Sequence, residues 1–69
     1  DLEARFRLAE ALAAAQQYDE ALGIALELIR TNRAQFLERS RKFMVDLFQI
    51  LPDSEMAATY RRRLSQLLY

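Results

Sequence analysis

The chain contains no cysteine, no histidine and no tryptophan, and it has one glycine and one proline. Without cysteine there is no disulfide and no thiol nucleophile. Without histidine the commonest general base is missing, and together the two gaps remove the usual zinc ligands. One Gly and one Pro leave little room for strands joined by tight turns, and a Gly-rich phosphate loop is excluded. No apolar run approaches the about 18 residues that a membrane span needs, and no signal-peptide pattern is present. An excess of one charge is lacking too: 10 Lys and Arg balance 10 Asp and Glu. That balance argues against nucleic acid as a partner, because nucleic-acid binders carry a basic excess. Protein partners, no membrane, no cofactor and a cytoplasmic location are the expectations that remain.

What is present is helix-forming sequence. Ala, Leu, Arg, Glu and Gln dominate the 69 residues. A chain of this length makes one domain whose core is close to marginal, since only roughly 60% of the unfolded surface is buried at this size. The start at Asp1, without Met, reads as a piece of a larger protein, and residues 1–69 as its C-terminal helical domain. The charge is unevenly spread. Residues 1–32 carry three basic and six acidic side chains, and residues 33–69 carry seven basic and four acidic. The halves, at −3 and +3, are complementary.

Four helices are expected. The first covers about Leu2–Gln16, with one apolar row of Ala4, Leu8, Ala11, Leu12 and Ala15 and a second of Leu2, Phe6, Ala9 and Ala13. Gln16-Gln17-Tyr18 makes a turn. Asp19 and Glu20 place negative charge at the start of a second helix, Asp19–Thr31, where the dipole favours it. That helix is apolar around most of its girth and should be covered on more than one side. Gly23 within it reads as tolerated slack, or more sharply as a point of close backbone approach. Asn32 and Gln35 read as a capping box opening a third helix, Arg33–Leu51, whose stripe is Phe36, Leu37, Ser40, Phe43, Met44, Leu47, Phe48 and Leu51. Pro52-Asp53-Ser54 stops it and starts a fourth, Ser54–Leu68, with Met56, Ala57, Tyr60, Leu64, Leu67 and Leu68 as its stripe.

The fold class is therefore all-α, two helix-turn-helix hairpins. Their turn points, Gln17 and Asp53, lie 36 residues apart, near the about 34-residue tetratricopeptide period. With Ala21 on the motif alanine, Leu8 takes the motif leucine, and Ala9 and Leu12 take the glycine and tyrosine positions. Arg5, Ala25 and Arg33 replace the motif's Trp, Phe and Pro. The repeats are degenerate. In this register the first helix of each hairpin lines a groove, which supplies Glu3, Phe6 and Glu10 from the first helix and Arg39, Lys42, Asp46 and Gln49 from the third. Phe6 would anchor a bound peptide, or would simply pack against the next helix.

Leu2-Glu3-Ala4-Arg5-Phe6-Arg7-Leu8-Ala9, Tyr18-Asp19-Glu20-Ala21-Leu22, Arg41-Lys42-Phe43 with Leu47-Phe48, and Tyr60-Arg61-Arg62-Arg63-Leu64-Ser65-Gln66-Leu67-Leu68-Tyr69 together resemble one family. They are similar to the C-terminal tetratricopeptide-like domain of bacterial thioredoxin-like co-chaperones, the YbbN or chaperedoxin family. The resemblance covers nearly the whole chain and departs from the family between Asn32 and Arg39. It implies a non-catalytic module that binds client proteins, and the chaperonin through the last helix, where Arg62, Arg63, Gln66, Leu67 and Tyr69 are the candidates. It also implies a thioredoxin-like domain preceding this one. Arg61, by its place beside the apolar stripe, should lie over that stripe, with Arg62 and Arg63 more exposed. The competing expectation is a helical oligomerisation domain, a homodimer, with no other partner.

Overall fold

A computed structural model describes residues 1–68 and contains four helices: α1 Leu2–Ala14, α2 Tyr18–Thr31, α3 Arg33–Ile50 and α4 Ser54–Leu68. The molecule measures 29 × 28 × 14 Å. An α-helix with its side chains is about 10–12 Å across, so the slab is little more than one helix thick and leaves most helices with a free side.

Each helix begins or ends for a local reason. Asp1 caps α1 through its carboxylate, which accepts from the Glu3 N–H at 3.0 Å. Asp53 caps α4, accepting from the N–H groups of Glu55 at 2.9 Å and Met56 at 3.1 Å. Leu51 ends α3 with φ −62° and ψ 126°, the extended conformation that Pro52 imposes on the residue before it. α1 closes two residues short of Gln16. The Gln17 N–H donates to Leu12 O at 2.8 Å and the Gln16 N–H to Ala13 O at 3.0 Å, the paired bonds of a Schellman turn. That turn puts Gln16 at φ 64°, a conformation usually left to glycine.

The capping box at Asn32 does not form. The Asn32 N–H still donates to Leu28 O at 2.9 Å, and the Asn32 carbonyl already accepts from Phe36 N at 3.0 Å. One residue therefore closes α2 and opens α3. Its side chain turns back and donates to Thr31 Oγ1 at 2.8 Å, away from the Gln35 end of the helix.

α2 packs against α1, α3 and α4, which accounts for its nearly all-round apolar surface. Ala21, Leu22, Ala25 and Ile29 join Met44, Leu47 and Phe48 of α3 and Ala57, Tyr60 and Leu64 of α4 in the main buried cluster. Phe6, Leu28 and Phe36 form a second one, with Leu2, Ile24 and Phe43 around it. Gly23 is slack rather than a close contact: a Cβ there would lie 3.8 Å from Tyr60 Oη, ordinary van der Waals distance.

On α1 the inward row is Leu2, Phe6, Ala9 and Ala13, with Phe6 and Ala9 buried and Leu2 and Ala13 half-buried. Of the other row, Ala4, Leu8, Ala11 and Ala15 face solvent, with Leu8 46% exposed, and Leu12 packs half-buried against the main cluster. The two rows compete for the same packing surface, and the row with the phenylalanine buries more apolar area.

Candidate protein-binding cleft

α1 and α3 lie side by side and enclose a shallow cleft of about 370 Å³ lined by Phe6, Glu10, Arg39, Lys42, Phe43 and Asp46. Five of the seven residues expected in the groove thus meet in one place. Their periodicity explains it. Arg39, Lys42, Phe43 and Asp46 fall at i, i+3, i+4 and i+7 and share a face of α3, as Phe6 and Glu10 do on α1.

Phe6 is 6% exposed. It stacks on Phe36 with ring centroids 6.1 Å apart, and meets Phe43 at 5.5 Å with the planes tilted by 58°. Of the two roles open to it from the sequence, the structure gives it packing against the next helix. Its buried ring forms the cleft floor together with the half-buried Phe43, a residue the groove register does not include. Phe43 belongs to the apolar stripe of α3 and reads as pure core until α1 is placed beside it.

Glu3 reaches the cleft through Arg39. Their bond is bidentate, Nη1 to Oε1 at 2.6 Å and Nη2 to Oε2 at 3.0 Å. The Arg39 guanidinium lies over the aromatic pair, with Cζ 4.5 Å from the Phe6 centroid and 5.3 Å from that of Phe36. The hydrogen bond from Arg39 holds the Glu3 carboxyl below the usual carboxylate range, and in return Glu3 raises the guanidinium. Lys42 pairs with Asp46 at 3.2 Å. Glu10 makes no ion pair among the described residues, so the cleft presents an apolar floor, two internally neutralised pairs and one free carboxylate.

Gln49 is not part of this cleft. One further turn along α3 rotates it into a second groove, between α3 and α4, beside Val45, Phe48, Arg61, Leu64, Ser65 and Leu68. The α4 candidates divide as well. Arg62 and Gln66 are exposed. Arg63 is exposed but stacks on the Tyr60 ring, Cζ to centroid 5.0 Å. Leu67 is half-buried against the main cluster, and its carbonyl accepts from the Arg33 guanidinium. Tyr69 lies outside the described residues. Arg61 covers the Phe48 ring at 5.3 Å, in line with its place beside the stripe.

The sequence pattern does not reveal the bond from Tyr60 Oη to Asp19, at 2.6 Å to Oδ1 and 3.2 Å to the backbone carbonyl. A tyrosine on the buried stripe of α4 needs a partner for its hydroxyl, and that need is the only signal for it. Burial, then the bond to Asp19, pushes the Tyr60 phenol above its ordinary value. Among the described residues no group of acidic side chains converges as a metal site.

Two stacked helical hairpins with a cleft between their first helices define a repeat protein of the helix-turn-helix kind. The chain belongs to the tetratricopeptide repeat family, whose model matches residues 1–69. No curated protein and no solved structure matches the chain. Tetratricopeptide repeats generally mediate protein–protein interaction, and this domain is of that interaction type.

Proposed function

We propose that the chain is the non-catalytic protein-interaction module of a bacterial, cytoplasmic thioredoxin-like co-chaperone, binding client proteins at the α1–α3 cleft and the chaperonin through the outer face of α4. The observation that supports it most is the cleft itself. Its apolar floor would take one bulky apolar side chain, and Glu10 at its rim would meet a basic residue beside it. The resemblance of Tyr60–Tyr69 to the co-chaperone family supports the second contact.

The two contacts are tested with exposed residues, because Phe6 is core and removing Tyr60–Tyr69 would delete the buried Tyr60 and Leu64. Glu10→Lys with Lys42→Glu should weaken capture of an unfolded model client while chaperonin co-purification persists. Arg62→Glu with Gln66→Ala should do the reverse. Full retention of both activities by folded variants would sink the reading.

A second reading is oligomerisation through exposed apolar side chains, favoured by Leu8 at 46%, Val45 at 37% and Ile50 at 62% exposure. A stable dimer in sedimentation, with neither client nor chaperonin bound, would establish it instead.

A further inference from the structure

The turns of the two hairpins lie together at one end of the molecule, apart from the α1–α3 cleft and the outer face of α4. Between them is a hollow of about 410 Å³, larger than the α1–α3 cleft. Its floor is Tyr18, Leu51 and Met56, half-buried against the main cluster, with Pro52 exposed beside them. Its rim carries Asp19, Glu20 and Asp53, all exposed, and no basic residue lines it. A smaller hollow continues from it over the first turns of α4. That one adds Glu55 and a single cation, Arg63, which is stacked on the Tyr60 ring.

Helix starts account for part of this charge. Asp53 Oδ1 caps α4, and Asp19 Oδ1 accepts from Tyr60. Glu20 and Glu55 sit in first turns, where the dipole favours a carboxylate. The rest is unused within the chain. Glu3, Glu27, Glu38 and Asp46 each pair with a cation. None of the four carboxylates at the turns does so among the described residues, and Oδ2 of both aspartates accepts no hydrogen bond among them. Nor does a helix start call for apolar side chains facing its charges. The acidic groups do not converge as a metal site among the described residues. An apolar floor inside a rim of unpaired carboxylates is complementary to an organic cation carried beside an apolar side chain. The Tyr60–Asp19 bond ties the start of α2 to α4, so the two sides of the hollow are held in place before anything binds.

We infer that the hollow between the two turns is a docking site for a basic peptide segment that carries an arginine beside an aliphatic side chain. The aliphatic chain seats on Tyr18, Leu51 and Met56. The guanidinium donates to the free carboxylate oxygens of the rim, and Glu20 and Glu55 add to the field that draws it in. The site shares no lining residue with the α1–α3 cleft and does not depend on the co-chaperone reading.

The test titrates the capped peptide acetyl-Ala-Leu-Arg-Leu-Arg-Ala-amide into the isotope-labelled 69-residue chain and follows its amide resonances. Saturable shifts are expected at Tyr18, Glu20, Leu51 and Met56 and not at Phe6 or Lys42. Glutamate in place of both peptide arginines should abolish them. Alanine in place of both leucines should weaken binding at least about tenfold. Glu20→Lys with Glu55→Lys, both at exposed positions, should weaken it about fivefold with cooperative unfolding retained. Equal binding of the glutamate or the alanine peptide overturns the inference, and so does unchanged affinity of the folded double variant. Shifts centred on the α1–α3 cleft, or none at about millimolar peptide, overturn it as well. Concentration-dependent shifts at Glu20 and Leu8 without peptide do the same, since they would make a second copy the occupant.

Discussion

The first hairpin meets the second most extensively where α2 packs on α3, and two further contacts between the hairpins are built from different chemistry. Between α1 and α3, Phe6 stacks on Phe36 and meets Phe43 at a tilt, under a bidentate Glu3–Arg39 pair whose two side chains remain 43% and 45% exposed. Between α2 and α4, a single phenol at 7% exposure donates to Asp19 beside the main apolar cluster. The first contact is broad, apolar below and ionic above, and it borders the cleft. The second is a single polar bond at the edge of the apolar cluster, and its acceptor Asp19 is exposed. The aromatic contact is made by three rings, and the Tyr60 contact by directed bonding to one residue. The proposed binding cleft adjoins the contact whose upper layer is open to solvent.

The largest effect should come from removing the aromatic layer. Phe36 is fully buried and touches Phe6. Phe36→Ala should lower unfolding free energy by about 3–5 kcal/mol, comparable with the whole stability of a domain this small. Urea denaturation would register it as loss of the cooperative transition. A shift under about 1 kcal/mol would mean that α1 is held mainly by α2, and the two contacts would no longer be comparable.

Tyr60→Phe breaks the second contact at its one polar bond and should cost about 1–2 kcal/mol. It also has a pH signature. The folded-state phenol titrates above its unfolded value near about 10, so the folded chain holds that proton more tightly. The contribution is complete below the unfolded value and is lost as pH rises through the raised one, an effect that the nearby Arg63 partly offsets. Alkaline unfolding of the natural chain should therefore begin at lower pH relative to its own baseline than that of Tyr60→Phe. Parallel pH profiles would show that neither burial nor the bond to Asp19 shifts the phenol.

Ser40 lies on the buried stripe of α3 with Phe36, Met44 and Leu47, and its hydroxyl has no hydrogen-bond partner among the described residues. Ser40→Ala removes a desolvated group and installs a better helix former. The expected gain is about 1 kcal/mol in chemical denaturation. A loss instead would reveal a bond at Oγ and shift weight toward polar chemistry in the centre of the interface.

The four helices and both hairpin points are legible in the residues because period-3.6 apolar rows, Asp53 and Pro52 are local signals. So is the Lys42–Asp46 pair, which needs only its spacing of four. The choice of face on α1 is not local. Leu2-Phe6-Ala9-Ala13 and Ala4-Leu8-Ala11-Ala15 are equally periodic, and only the presence of α2 and α3 on one side decides between them. Asn32 fails as a capping box for a related reason: α2 runs to Thr31, so the residue that should open α3 is still closing the helix before it. Gln16 in the left-handed region is hidden because no glycine marks the end of α1. Most of the cleft follows from the register, but Phe43 joins it and Gln49 leaves it according to how α3 is rotated against its neighbours, which no single-helix pattern contains.

The smallest effect belongs to the ionic layer above the phenylalanines. The Glu3 carboxyl titrates below its unfolded value because Arg39 donates two hydrogen bonds to it. Its contribution is therefore complete above the unfolded value and is lost as pH falls through the depressed one. Solvent and salt screen so exposed a pair, and Glu3→Gln should barely move the midpoint at neutral pH and moderate salt. The informative measurement is the difference between Glu3→Gln and the natural chain from low to high salt at neutral pH, repeated at acid pH. A gap that narrows with salt and closes in acid places the pair as a hydrated cover on the aromatic contact. A gap indifferent to both would mean that Glu3 acts by packing its stem against Arg39 and Phe6, and the layered description of the α1–α3 contact would have to be abandoned for a single apolar one.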